Sequence, residues 1–126
     1  MNTDNTHNSS GVHAPVRIVP KGWGREEWIH NDKRYCGKVL EVKAGKKSSF
    51  HFHNKKYETF YVVHGHLRMR VRPEGGAEEY FEMQAGDILD IAPGLVHQFT
   101  ALQDSTIIEF STQHFDDDSH RVELGD

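Results

Sequence analysis

An all-β sandwich or small barrel is the fold class that this sequence predicts. Three observations carry it. Short runs of β-branched and aromatic residues recur at close spacing, glycine- or asparagine-containing turns separate them, and no segment holds a long helical period. Nine or so strands account for the chain from Trp23 onward.

Residues 1–14 open the chain as an Asn/Ser/Thr-rich stretch, which reads as a flexible arm before a single domain over 15–126. His7 and His13 fall in this arm and read as exposed tail residues. Residues 25–29 and 35–43 flank the turn-prone Asn31-Asp32-Lys33 and read as a hairpin. Residues 23–29 form an apolar, exchangeable edge, which suggests a homodimer. Gly45-Lys46-Lys47 turns the chain into a strand over 48–53. Asn54-Lys55-Lys56 is a polar loop, followed by strong β formers over 58–63 and a turn at His64-Gly65. Residues 67–71 alternate with His66, Arg68, Arg70 and Arg72, a half-buried strand whose basic row reads as a solvated face. Pro73-Glu74-Gly75-Gly76 is a loop, and strands over 79–83, 88–91, 96–101 and 106–111 complete the set.

Composition narrows the function classes. The chain has 126 residues, enough for one core without disulfide staples. Its net charge of -4 argues against nucleic acid as the main partner. No run of about 18 apolar residues exists to span a membrane as a helix. The first eleven residues lack the apolar centre of a secretory signal. The single cysteine, Cys36, forms no intramolecular disulfide and fits a reducing cytoplasm, where it reads as a small buried hydrophobe. No P-loop is present.

The chemistry sits in two stretches. In the first, Gly45 is followed by His51-Phe52-His53, then Glu58, then Gly65. Alternation along a strand puts His51 and His53 on one face, with Cα atoms roughly 7 Å apart. Two imidazoles at that spacing can converge on one ion through ring nitrogens at about 2.0–2.1 Å. The second stretch runs from Gly86 through Pro93-Gly94 to His97, a strand, a tight turn and a second strand. Three histidines and one carboxylate suit Zn, Mn, Fe, Ni or Cu and are too nitrogen-rich for Mg or Ca. If these residues face a cavity, Phe60, Val62, Phe99 and Ala101 share their face, and Phe60, Val62 and Phe99 would wall a small-molecule pocket. Leu40 and Val42 read as core, so period two sends Lys38 inward too, where it could hold a phosphate or carboxylate.

These two stretches resemble the paired motifs of the cupin superfamily. The first matches at Gly45, His51, His53, Glu58 and Gly65, the second at Gly86, Gly94 and His97. Ala92 stands where a proline is usual and Ala101 where an asparagine often sits; neither is a ligand position. The resemblance implies a double-stranded β-helix, the cupin jelly roll, with a divalent transition metal on His51, His53, Glu58 and His97.

A fainter similarity links Trp23-Gly24-Arg25-Glu26-Glu27-Trp28, Tyr35-Cys36-Gly37-Lys38, Glu58-Thr59-Phe60-Tyr61-Val62 and Ser111-Thr112-Gln113-His114-Phe115 to stand-alone cupins related to mannose-6-phosphate isomerases. It implies a metal-dependent sugar or sugar-phosphate isomerase. Adjacent sugar oxygens would sit on the metal, a base would shuttle a proton through an enediolate, and Lys38 would take the phosphate. Glu58 is the candidate for proton transfer if it leaves the metal, with Tyr57, Tyr61, His114 and Glu109 as lesser candidates; His114, which follows a strand and precedes an acidic run, otherwise reads as a surface turn residue. Two alternatives share the ligand set: a non-haem metal dioxygenase and a non-catalytic sugar-binding or regulatory module.

Overall fold

The computed structural model describes residues 11–126. Their strands are β1 (Arg17–Lys21), β2 (Gly24–Asn31), β3 (Cys36–Val42), β4 (Phe50–Phe52), β5 (Glu58–His64), β6 (His66–Arg72), β7 (Glu79–Gln84), β8 (Ile88–Ile91), β9 (Val96–Ala101), β10 (Ser105–Ser111) and β11 (His120–Glu123). A single 3-10 turn, Asp116–Asp118, precedes β11. The strands form two antiparallel sheets, ordered β1-β2-β3-β10-β5-β8 and β11-β4-β9-β6-β7. Facing sheets whose neighbours are mostly distant in sequence make a jelly-roll barrel, as the sequence implies. The first ten residues of the expected arm lie outside the described residues; residues 11–14 are exposed and in no strand.

Period-two alternation builds the core. Leu40, Val42, Phe60, Val62 and Ile107 point in from one sheet, and Leu67, Met69, Met83, Phe99 and Ala101 meet them from the other. Fully burying one such large side chain stabilises the barrel by about 1.5–3 kcal/mol. This packing closes one end of the barrel and leaves the histidine end open.

Two motif glycines are fixed by backbone geometry. Gly65 turns β5 into β6 at φ 104. A Cβ there would lie 2.2 Å from Ser105 Oγ, the hydroxyl that accepts the His66 N–H at 3.0 Å. Gly94, at φ 90, donates its N–H to the His53 carbonyl at 2.8 Å, which clips the second motif to the first.

The structure holds eleven strands among the described residues, two more than the nine or so expected. The additions, β1 and β11, are each the outermost strand of a sheet. β1 also changes the status of residues 23–29. That segment was expected to be an exchangeable edge, but β2 pairs with β1 on one side and β3 on the other. It has no open backbone row to offer a second chain.

Candidate functional site

The two sheets meet the site from opposite sides. His51 on β4 is the direct cross-strand partner of His97 on β9, and His53 lies one residue past the end of β4. Glu58 begins β5 in the other sheet. One ring nitrogen from each of His51, His53 and His97 falls within 4.8 Å of the other two. Glu58 Oε2 is 3.1 Å from His53 Nε2 and 3.2 Å from His97 Nε2. All four residues that the sequence grouped are therefore brought together.

The far side of each imidazole is tied down. His51 Nδ1 donates to the Ser49 carbonyl at 2.9 Å, His53 Nδ1 to the Asp118 carbonyl at 2.8 Å, and His97 Nδ1 to the Leu95 carbonyl at 2.9 Å. A carbonyl only accepts, so the proton is on Nδ1 and each neutral ring presents an Nε2 lone pair. Burial, reinforced by His97 and His53, holds His51 well below the ordinary histidine range. Glu58 Oε2 and His97 Nε2 are buried and have no hydrogen-bond partner among the described residues. Lone pairs and a carboxylate oxygen facing each other at hydrogen-bond distance lack a positive charge between them. The donor set, three imidazole nitrogens and one carboxylate oxygen, fits a divalent transition metal.

Behind Glu58 lies a buried cation. Lys56 Nζ is 3.5 Å from Glu58 Oε1 and 3.0 Å from Glu109 Oε2, and it donates to His114 Nδ1 at 3.2 Å. Burial opposes this charge, but Glu109 and Glu58 outweigh it and hold the ammonium above the usual lysine range. Desolvation would raise the Glu58 carboxyl, yet Lys56 and the two imidazoles keep it well below its ordinary value. Asp118 places this lysine. Its carboxylate accepts the backbone N–H groups of Asn54, Lys55 and Lys56 at 2.9–3.3 Å, curling the loop so that Lys56 turns inward.

His114 is not a surface turn residue. Asn31 clamps its backbone from both sides, donating to the His114 carbonyl at 3.2 Å and accepting its N–H at 2.8 Å. With Nδ1 taken by Lys56, its Nε2 donates to Asp116 Oδ1 at 3.2 Å. Burial, with Lys38 and Lys56 nearby, drives the imidazole down to about 2, so it stays neutral. It braces Lys56 and has no free nitrogen for a substrate proton.

Lys38 points inward as period two requires, and is 1% exposed. Its ammonium is already occupied, lying 3.5 Å from Glu26 Oε1 and 4.2 Å above the Trp28 ring. Glu26 also accepts Trp28 Nε1–H at 2.9 Å. Burial opposes its ionisation, but Lys38 and Lys21 hold its carboxyl below the ordinary value. Tyr57 is exposed, and Tyr61 alternates away from Phe60 toward the outer face, so neither reaches the site. Burial, joined by the Glu109 charge, pushes the Cys36 thiol up, as befits a packed hydrophobe.

Glu26, Lys38, His51, His53, Lys56, Glu58 and His114 line one cavity of about 330 Å³, the size of a small-molecule site. Trp23, Leu40, Phe60 and Phe99 give it an apolar wall; Val62, expected there, is packed deeper in the core. Its wall carries five cationic and five acidic side chains, which balance before the charge of a metal ion is counted. Sequence reading missed Lys56 and Glu26. Stepping back two residues from Trp28 along β2 would have placed Glu26 on the inward face, whereas Lys56 lies in the loop before β5, outside strand alternation.

The comparisons with known proteins agree with this geometry. The D-lyxose/D-mannose isomerase of Thermosediminibacter oceani is 29% identical, over 71% of this chain and 61% of that protein. The chain thus spans about three-fifths of that relative's length. Among solved structures, the capsular polysaccharide assembling protein CapF of Staphylococcus aureus superposes with a TM-score of 0.72 at 23% identity, covering 86% of this chain and 32% of that one. Oxalate decarboxylase of Bacillus subtilis gives 0.77 at 16% identity, covering 95% and 34%. KdgF of a Halomonas species gives 0.64 at 21%, covering 74% and 81%. These structural likenesses are of fold. No helix among the described residues is long and apolar enough to cross a membrane. The family profile of the cupin domain matches residues 38–110, more than half the chain, and the chain belongs to the cupin family.

Proposed function

We propose that this cupin is a metal-dependent isomerase of a neutral sugar, moving a proton between the neighbouring carbons that carry the carbonyl and a hydroxyl. The observation that carries the reading is the cavity itself. Three imidazole lone pairs and a buried carboxylate converge beside it, and its cationic and acidic walls balance. The sugar-isomerase relative supports the same class. The sequence offered Lys38 for a phosphate, but Glu26 neutralises it.

His51, His53, His97 and Glu58 would hold the metal, which supplies Lewis-acid polarisation and orientation for adjacent sugar oxygens. The remaining work falls to the chain. Trp23, Phe60 and Phe99 pack the C–H faces of the sugar and exclude water. Lys56 fixes Glu58 from behind, and His114 with Asp116 fixes Lys56. Glu26 carries the proton. It is a cavity carboxylate outside the Glu58–Lys56–Glu109 cluster, and Trp28 and Lys38 hold it ionised and oriented.

The test is elemental analysis of the purified chain. Neutral aldoses and ketoses are then screened by NMR in D₂O with the metal found. Interconversion with deuterium entering at the exchanged carbon supports the proposal. Binding without turnover would make the chain a sugar-binding module, and oxygen consumption without isomerisation a dioxygenase; either overturns it.

A further inference from the structure

The cavity wall carries one cation that no carboxylate of the fold answers. Arg17 lies 3.8 Å from Asp116 Oδ2, Lys21 and Lys38 lie 3.9 Å and 3.5 Å from the Glu26 carboxylate, and Lys56 sits between Glu58 and Glu109. Arg121, the fifth, makes no ion pair and no side-chain hydrogen bond among the described residues.

Strand pairing sets its position. Arg121 on β11 is the cross-strand partner of His51 on β4, and His51 is the partner of His97 on β9. Such partners project to the same face with Cβ atoms about 4.5–5.5 Å apart. The guanidinium therefore continues the row of two imidazoles to the cavity mouth, where Arg121 is exposed. His120, one residue earlier, goes the other way and lies against the Phe52 ring, with centroids 5.1 Å apart.

Both ends of β11 are anchored. Before it, Asp118 accepts the backbone N–H groups of the loop that leads to β5. After it, Asp126 donates its N–H to the Lys47 carbonyl at 2.9 Å and accepts the Lys47 N–H on Oδ2 at 2.8 Å. Gly125 packs so closely there that a Cβ would lie 2.2 Å from the Ser48 carbonyl carbon. Glu123 adds its pair with Arg70 at 2.9 Å. A strand held in this way fixes where Arg121 enters the cavity, which lowers the ordering cost of binding through it.

We infer that Arg121 determines which sugar the site takes, by donating to hydroxyl oxygens at the end of the sugar away from the reacting carbons. The inference rests on the neutral-sugar reading above. A guanidinium has five donors and no acceptor. Sugar hydroxyl oxygens accept, and the planar fork can reach two adjacent ones at once. Lys38 and Lys56 are spent on carboxylates, and Trp23, Phe60 and Phe99 hold only C–H faces. Arg121 is thus the cavity cation whose donors are open to a substrate.

Titration calorimetry and NMR turnover test it on the full chain, loaded with the metal that elemental analysis finds. The probes are the D-aldopentoses and D-aldohexoses and, for the tightest binder, its monodeoxy analogue at each carbon beyond the second. Circular dichroism and metal content are checked for Arg121→Met and Arg121→Lys. Arg121→Met should weaken that sugar about 10–100-fold, the loss of a charged hydrogen bond. KM should rise by a similar factor with a much smaller change in kcat. Arg121→Lys, which keeps the charge and loses the fork, should fall between. At least one deoxy analogue should bind the wild-type chain as weakly as the parent sugar binds Arg121→Met, and that variant should not tell the two apart. Unchanged affinity in Arg121→Met overturns the inference and leaves the isomerase reading standing. Binding that depends on Arg121 without turnover supports the inference and defeats the isomerase reading. Deoxy analogues that all bind like the parent, with inorganic phosphate competing only while Arg121 is present, would assign the guanidinium to an anion and overturn it. Failure of every probe to bind overturns both.

Discussion

At the scale of residues, each imidazole of the site works with both nitrogens. A backbone carbonyl takes Nδ1–H and leaves the Nε2 lone pair aimed at the centre. Loss of the groups that orient a ligand typically costs ~10–100-fold in metal affinity, so loss of a ligand costs more. His97→Ala should therefore empty the site, as read by elemental analysis after dialysis; full occupancy would break the metal reading. Glu26→Gln keeps the shape of the cavity wall and removes only the charge. It should keep metal content while lowering kcat by about 10²–10⁴-fold, and an unchanged kcat would remove Glu26 from proton transfer. Lys56→Met leaves Glu58 and Glu109 buried without their cation, a change that costs about 3–5 kcal/mol in comparable sites. Urea unfolding checks it. The four convergent residues were legible in the sequence because strand alternation and the turns between them set their spacing. Lys56 was not, because Asn54-Lys55-Lys56 has the composition of a solvated loop and only the distant Asp118 turns its last residue inward.

At the scale of elements, pattern located the central strands and missed the outermost ones. β1 and β11 are short and polar, and they exist because neighbouring backbones offer unpaired ladders. Nothing inside Arg17–Lys21 or His120–Glu123 announces a strand. Omitting β1 made β2 look like an edge, and one missing element thus produced two errors. The Asp118 clamp belongs to this scale too, because it ties the 3-10 turn to the loop before β5. Asp118→Ala should lower stability by about 1–3 kcal/mol through unsatisfied N–H groups. It should also weaken metal binding, since Lys56 and the His53 carbonyl partner both shift. Normal stability and affinity would show that the loop holds itself. Gly65→Ala demands a left-handed backbone from alanine and a collision with Ser105. The cost should be at least about 1–3 kcal/mol, read as a lower unfolding midpoint.

At the scale of the whole molecule, the barrel is held at its outer shell by carboxylates that the fold keeps ionised. Hydrogen bonds from Arg70 draw Glu78 and Glu123 below their ordinary 4.5 and join β6 to the β7 approach and to β11. Arg34 does the same for Asp32 in the β2–β3 turn, drawing it below 3.8. Each of these groups binds its proton less readily in the folded chain than in the unfolded one. Between the two values the unfolded chain takes up more protons, so acid shifts the balance toward unfolding. Their contribution is complete above about pH 4.5 and is lost as pH falls through the folded values. The thermal midpoint should therefore begin to fall as pH drops below about 6.5, where the unfolded chain protonates the histidines that burial keeps neutral in the fold, His51 and His114, and should fall further below pH 4.5. Arg70→Gln isolates the share held by Glu78 and Glu123. The variant should be less stable than wild type at pH 7, and the two midpoints should converge as pH falls through the folded values, where both carboxylates become protonated in either state. Exposed pairs are screened by salt, so the gap at pH 7 should also narrow at 1 M salt, where the Debye length is about 3 Å. A gap that persists at low pH would mean that Arg70 acts by covering Phe50 and not through its charge.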